Sequence, residues 1–328
     1  MAGVEVKKVG SDENGMRLDR WFKTYYPGLG FGQLQKLLRS GQIRVDGGRA
    51  KSDMRLLIGQ MVRVPPLPVD KKSLTPLTGK TLRNQSDHDV LRQMLLYEDA
   101  KILVFNKPAG LAVQGGSGIV RHMDDMLEAW RNKKGEKPRL VHRLDRETSG
   151  LLLVARTRGA AQFLTAAFRM RKTEKTYWAI VRGVPKKRQD KISTWLVKEK
   201  TSNGDKIRAC LHGEPDADHA ISHYRLIDSR ARTLSWLEME PYTGRTHQLR
   251  VHAAHIGHPI IGDNKYFFAD SNWSLPGGMQ NRLHLHARRL KIPDPAGGTL
   301  DFVAPLPPHM VQSFNLFSFD ECDGEGNQ

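Results

Sequence analysis

Apolar residues recur along this chain in short blocks whose spacing switches between helical and strand periods. Over residues 16–25, Leu18, Trp21 and Phe22 fall on one side and Arg17, Arg20 and Lys23 toward another. That spacing predicts a short helix, ended by Pro27 and the glycines at 28 and 30. A second helix is predicted over 32–39, with Leu34, Leu37 and Leu38 inward, Lys36 and Arg39 outward, and Gly41 as its stop. Ile43-Arg44-Val45 and Met61-Val62-Arg63-Val64 then alternate as strands, with an Asp46-Gly47 turn between them. Pro65-Pro66-Leu67-Pro68 opens a stretch without sustained periodicity, which predicts a linker over 65–89. Further on, strands are predicted over 101–105, 151–155, 177–181, 221–227 and 233–240, and helices over 159–170 and 247–256. Asn106-Lys107-Pro108-Ala109-Gly110 is expected to break the first of these strands. The mixture places the chain in the α+β class, with a small module over 1–64, the linker, a large domain over 90–318 and a disordered acidic tail over 319–328.

Charge sharpens this picture. Across 328 residues, 52 Lys and Arg against 35 Asp and Glu leave a formal charge of +17. A polyanion is the expected partner, and nucleic acid fits better than an acidic membrane because no basic amphipathic helix with a broad apolar face stands out. The excess is concentrated early: residues 15–64 carry ten basic and three acidic side chains, a local net of +7. Hydrophobic residues make up 39% of the chain, ordinary for a globular protein, and no apolar run approaches a membrane span. The start has no export or transit pattern, and Cys210 and Cys322 lie in no metal spacing. A reduced cytoplasm is therefore the expected compartment.

Three segments are dense in residues that do chemistry. His142-Arg143-Leu144-Asp145, then Arg146-Glu147-Thr148-Ser149-Gly150, puts a carboxylate on a loop just ahead of the apolar run 151–155. Taken alone, Asp145 reads rather as a salt-bridge partner of Arg143 or as the cap of a turn. Tyr177 heads a predicted strand, where a phenol can stack on a base or serve as a half-buried aromatic. In the segment from Tyr242 to His252, Arg245, His247, Gln248 and Arg250 form a polar cluster too dense for a structural face. Leu249 and Val251 anchor the core side of that cluster, which aims Arg250 inward as the partner of a carboxylate.

Two resemblances join these segments. Met16-Arg17-Leu18-Asp19, Gln35-Lys36-Leu37-Leu38-Arg39-Ser40-Gly41 and Ile43-Arg44-Val45-Asp46-Gly47 resemble the S4 RNA-binding domain. That likeness implies that Arg17, Arg20, Lys36, Arg39 and Arg44 grip structured RNA by shape and phosphate contacts. Most of the remaining chain resembles the RluA family of pseudouridine synthases, and the S4-like module points to its RluC-type branch. The motifs are Asn106-Lys107-Pro108-Ala109-Gly110, the Asp145 segment, Lys175-Thr176-Tyr177, Gly244-Arg245-Thr246-His247-Gln248-Leu249-Arg250, Gly257-His258-Pro259-Ile260-Ile261-Gly262-Asp263 and Leu283-His284-Leu285-His286-Ala287. Ala220-Ile221-Ser222-His223-Tyr224 departs mildly from the family pattern.

The likeness implies a mixed, largely antiparallel central sheet with flanking helices. It also implies conversion of uridine to pseudouridine in large-subunit (23S) ribosomal RNA without cofactor or metal. Asp145 would be the nucleophile or base, Arg250 would hold it charged, and Tyr177 would stack on the uracil and assist proton removal from C5. Arg143 would fill the space left by the flipped base, with Lys107, Arg245, His247 and Gln248 as further RNA contacts. The RNA would be free or in an assembling particle, and no obligate protein partner is implied. Three other readings stay open on the residues. One is a synthase acting on another structured RNA such as tRNA, and one is a non-catalytic RNA-binding or ribosome-assembly factor. The third is a zinc hydrolase using His247, His252, His255 and His258, although no Glu lies in that stretch and the spacing fits no zinc motif.

Overall fold

A computed structural model of the chain describes residues 4–10, 13–26, 29–67, 78–116, 119, 121–132, 135–201, 204–267 and 273–325. Pro27 and Gly28, Ser117 and Gly118, and much of the predicted linker lie outside these residues. The chain divides into two compact units, Met1–Gly79 and Lys80–Gln328.

Unit 1 is built from β1 (Glu5–Lys8), α1 (Leu18–Tyr25), α2 (Phe31–Arg39), β2 (Arg44–Val45), β3 (Gly48–Arg49) and β4 (Met61–Val64). Its antiparallel strands run in the order β1-β4-β2-β3. Leu18, Trp21 and Phe22 of α1 and Leu34 and Leu38 of α2 turn onto the sheet, joined by Ile43, Val45, Val62 and Val64. The helical faces follow the predicted spacing, which leaves Arg20, Lys23, Lys36 and Arg39 exposed. β1 escaped the sequence reading because Glu-Val-Lys-Lys offers a single apolar residue, and that Val6 is itself exposed.

Helix α3 (Thr78–Met94), all but its first two residues in unit 2, is followed there by β5 (Leu95–Glu98), β6 (Ile102–Lys107) and α4 (Met123–Met126). β7 (Arg139–Leu140), β8 (Ser149–Ala155), α5 (Arg158–Arg169) and β9 (Glu174–Arg182) follow, then the long β10 (Gln189–Thr201) and β11 (Gly204–Cys210). Next come β12 (Asp218–Arg230), β13 (Leu234–Pro241), α6 (Gln248–His255), β14 (Leu285–Pro293), β15 (Thr299–Val303), α7 (Pro308–Phe317) and α8 (Glu321–Glu325). One sheet runs β11-β10-β12-β13-β9-β14-β8-β6-β5, with β15 on β14 and β7 on β8. Only β14 and β8 pair in parallel among the described strands. The expected mixed, largely antiparallel α+β sheet is thus the observed architecture. Every residue of β8 is buried, which gives the loop ahead of it a rigid base.

Three expectations need correction. The strand expected to break at Asn106 runs through Lys107, which pairs with Gly150. Residues 78–89, assigned to the linker, belong to α3, which runs on to Met94; its sequence is too poor in apolar residues to read as a helix, and of its described side chains Leu91 and Met94 join the core. The acidic tail is ordered at 321–325. Glu321 and Glu325 both reach Arg288, at 2.9 and 2.5 Å, and Gly324 is buried against Trp178 and Trp236. Two elements were also missed for physical reasons. In β14, His286, Arg288 and Lys291 interrupt the apolar alternation although His286 and Arg288 are buried; α7 begins at Pro308, where a proline starts a helix rather than breaking it.

Candidate active site

The Asp145 segment forms the loop between β7 and β8, and it is fastened from below at several points. Leu144, Thr148 and Ser149 are buried. Thr148 N–H donates to the Asp145 carbonyl at 3.2 Å, and the Ser149 hydroxyl meets His286 Nδ1 at 2.9 Å. Leu153 N–H donates to His142 Nε2 at 2.8 Å, and that imidazole stacks on Phe168 with ring centroids 4.6 Å apart. Burial, helped by the charge of Lys175, holds the His142 pKa down at about 3, so the ring is a neutral acceptor. Gly150 has a φ of +108°, and a Cβ there would overlap the Ala287 carbonyl oxygen. Only glycine lets β8 and β14 approach this closely at the foot of the loop.

Lys107 completes the fastening. It is fully buried, and its ammonium donates to the carbonyls of Pro108, Leu111 and Arg146 at 2.9, 2.8 and 3.1 Å. Burial pulls its pKa down to about 7, against the opposing charges of Glu147 and Asp145. A lysine with no exposed surface and three backbone acceptors cannot contact RNA, so the assignment of Lys107 as an RNA contact is corrected to a structural one. Gln248 needs the same correction. It is buried, its Oε1 accepts from the Thr243 hydroxyl and Arg245 N–H, and its Nε2 donates to the Ile221 carbonyl and the Ser222 hydroxyl. All of its hydrogen-bonding capacity is spent inside the fold.

Asp145 faces an open cleft of about 460 Å³, walled by its own loop, by α5, by β9 and by the 241–250 segment. Arg250 Nη1 stands 3.6 Å from Asp145 Oδ2, and His247 Nε2 stands 3.9 Å from the same oxygen. Leu249, Arg250 and Val251 are all buried, so the helix carries the guanidinium inward as the sequence suggested. The tighter partner of Arg250 is Asp263, which accepts from Nε at 2.7 Å and from Nη2 at 2.8 Å. Asp263 is inaccessible to solvent and also accepts the backbone N–H groups of Lys265 and Tyr266. Burial opposes the Arg250 charge, but the Asp263 hydrogen bond and the charges of Asp263 and Asp145 outweigh it and raise its pKa. The guanidinium therefore remains a fixed cation, held by one carboxylate and presented to a second.

Tyr177 projects from β9 into the cleft, two residues after Lys175 and on the same face. Burial and the nearby Asp145 raise its pKa, so it is a neutral phenol. His247 adopts a left-handed φ of +53° ahead of α6, and its Nδ1 meets the Tyr266 hydroxyl at 2.7 Å. Burial lowers its pKa despite Asp145, which leaves it uncharged at neutral pH. Arg143 is exposed at the cleft rim, and Arg245 reaches Asp218 at 3.2 Å. In unit 1, Arg17 is bound to Asp19 and Arg44 to the carbonyls of Gly41 and Gly47, so these two heads are tied to their own fold.

Asp263 and Tyr266 were missed from sequence although Gly262-Asp263 lay in a motif. The available signal was electrostatic: an arginine carried into the core needs a buried carboxylate, and Asp145 has to stay accessible. A second cavity of about 510 Å³ lies on the other face of β9, lined by Glu174, Thr176 and Trp178. Its cations are neutralised: Arg225 by Glu238, Arg289 by Asp301 and Lys291 by Glu174. The Asp145 cleft instead contains cations with no carboxylate partner among the described residues, as suits an anionic ligand. Among the described residues no group of three or more His, Cys, Asp or Glu is arranged to hold a metal, and no helix is long and apolar enough to cross a membrane.

Residues 101–255 match the family model described as RNA pseudouridylate synthase. The chain is 34% identical over 307 residues to the ribosomal large subunit pseudouridine synthase C of Haemophilus influenzae, covering 93% of this chain and 92% of that one. It is also 34% identical to the mitochondrial RNA pseudouridine synthase 4 of Arabidopsis thaliana, covering 93% and 80%. Among solved structures, human RNA pseudouridylate synthase domain containing 4 superposes with a TM-score of 0.61 at 29% identity, over 73% of this chain and 98% of that one.

Proposed function

The chain belongs to the RNA pseudouridylate synthase family, and we propose that it isomerises uridine to pseudouridine in large-subunit ribosomal RNA with Asp145 as the reacting carboxylate. The observation that carries the site assignment is the Asp145–Arg250–Asp263 array. One carboxylate is accessible in a cleft, and the cation beside it is locked from behind by another. The isomerisation breaks the C1′–N1 bond, rotates the uracil and forms a C1′–C5 bond; the C5 proton leaves and N1 gains one. Asp145 serves any of three routes: addition to C6, attack on C1′, or removal of a ribose proton to give a glycal. Arg250, 3.6 Å from that carboxylate, holds it in position in each. Tyr177, as a neutral phenol, stacks on the uracil and orients it until the C5 proton departs.

A uridine in a helix has to leave the stack to reach Asp145. Arg143, exposed at the rim and unpaired among the described residues, is suited to fill the vacated space. Unit 1 is read as an S4-like grip, with Arg20, Lys36 and Arg39 presenting exposed cationic heads to RNA phosphates. The ribosomal substrate is drawn from the relatives named for it, whether as free RNA or an assembling particle in the cytoplasm. Pseudouridine mapping of all stable RNAs from cells with and without the gene tests this reading. Loss of pseudouridine at defined large-subunit positions is expected; loss confined to tRNA, or no loss, overturns it.

A further inference from the structure

Beyond the reacting uridine, the cleft has a second feature at its mouth, where α5 hands over to β9. The helix ends in a double backbone closure: Lys172 N–H donates to the Ala167 carbonyl at 2.9 Å and Arg171 N–H to the Phe168 carbonyl at 3.2 Å. Such an ending needs one left-handed residue, usually glycine. Here that residue is Arg171, with φ +58°. Its guanidinium sits 4.6 Å from the ring centroid of Tyr242, which belongs to the segment on the other side of the cleft. Tyr242 is 51% exposed, so a ring packed against Arg171 still has about half of its surface open to solvent.

Charge at this rim is unbalanced. Arg143, Arg169, Arg171 and Lys175 all line the cleft and have no carboxylate partner among the described residues, while Asp145 is its only acidic lining residue. Burial and Arg171 together lower the Lys175 pKa, so the amine gains from an anion placed beside it. An aromatic face backed by a cation and flanked by unpaired cations matches one unit of a nucleic-acid strand, a flat base joined to a phosphate.

We infer that Tyr242 and Arg171 form a second nucleotide subsite, in which the base next to the flipped uridine stacks on Tyr242 and its phosphate lies against Arg171 and Arg169. The subsite rests on the reading of the chain as an RNA pseudouridine synthase and adds to it. Strand context is then recognised at the mouth by stacking, independently of the uracil held at Asp145. Stacking tolerates any base but requires one, so the subsite distinguishes a strand with an intact neighbour from one without.

The test pairs protein variants with RNA variants. Synthetic RNA hairpins carrying the mapped target uridine are made with the intact sequence, or with an abasic residue at the 5′ or the 3′ flank. On intact RNA, Tyr242→Ala should lower kcat/KM about tenfold, and Tyr242→Phe should restore most of it. On the RNA lacking the stacked base, the unaltered protein should show a similar loss, and Tyr242→Ala should add less than about twofold. Arg171→Gln should flatten the slope of log kcat/KM against log salt by about 0.7, whereas Tyr242→Ala should leave that slope in place. A Tyr242→Ala penalty that is absent, or the same on intact RNA and on both abasic RNAs, overturns the subsite. If the unaltered protein forms no pseudouridine on intact RNA, it is the proposed function that fails; turnover without coupling sinks the subsite alone.

Discussion

Acid should unfold unit 2 well above the pH at which carboxylates titrate. His252, His284 and His286 are wholly inaccessible to solvent, and burial holds their pKa values at about 4, 4 and 3. An exposed imidazole titrates near 6.5. As the pH falls through about 6.5 the unfolded chain therefore takes up a proton at each of these positions, while the folded chain refuses it until about pH 4 or below. Stability is fully present above about 6.5 and is lost below it. At pH 5 each histidine withdraws about 2 kcal/mol, and the three together about 6 kcal/mol, which rivals the total stability of an ordinary domain. His142, with its pKa at about 3, acts with the same sign. The urea midpoint of the unit 2 transition, followed by tryptophan fluorescence from about pH 7.5 to about pH 5, should fall steeply. His252→Gln should remove about a third of the slope assigned to the three buried rings. A midpoint that stays level to about pH 5.5, or an unchanged slope in His252→Gln, would refute the reasoning.

Three further outcomes follow from the same contacts. Asp263→Asn leaves Arg250 buried with only Asp145 near it, which should cost about 3 to 5 kcal/mol, lower Tm by roughly 10 °C and reduce turnover; a melting curve that overlays that of the unaltered protein contradicts this. Gly150→Ala forces a Cβ into the Ala287 carbonyl at a positive φ, so the variant should be recovered largely unfolded by circular dichroism, and a soluble, active variant argues against the close approach of β8 and β14. Reversing charge in unit 1 with Lys36→Glu and Arg39→Glu together should weaken RNA binding and reduce the salt slope of affinity by about 1.4 to 1.8, as read by fluorescence anisotropy; an unaltered slope removes unit 1 from the RNA grip.

The parts of this molecule that sequence exposes are those governed by period and flanking. Arg250 could be aimed inward from Leu249 and Val251 alone, because its neighbours fix the face of a helix. The strand of Leu151 to Ala155 was evident because both of its faces are buried, which requires an unbroken apolar run. Side chains whose role depends on what surrounds them in space were not legible in this way. Lys107 and Gln248 are residue types that bind RNA as readily as they bind a carbonyl, and only the three-dimensional arrangement shows their donors and acceptors spent within the fold. β14 was hidden by its charges, since Arg288 is paid for by two glutamates from α8, more than thirty residues further along. The same long-range pairing is why the acidic tail read as disordered.

The central claim is that Asp145 performs the chemistry while the rest of the array holds it. Asp145→Asn keeps the side-chain shape and removes the charge, and Arg250 retains Asp263, so the fold and the RNA-binding surface should persist. Pseudouridine formation in a mapped RNA, measured beside RNA affinity for the same variant, should fall by more than about a thousandfold while Kd changes less than about threefold. Residual turnover comparable to that of the unaltered protein would contradict the account.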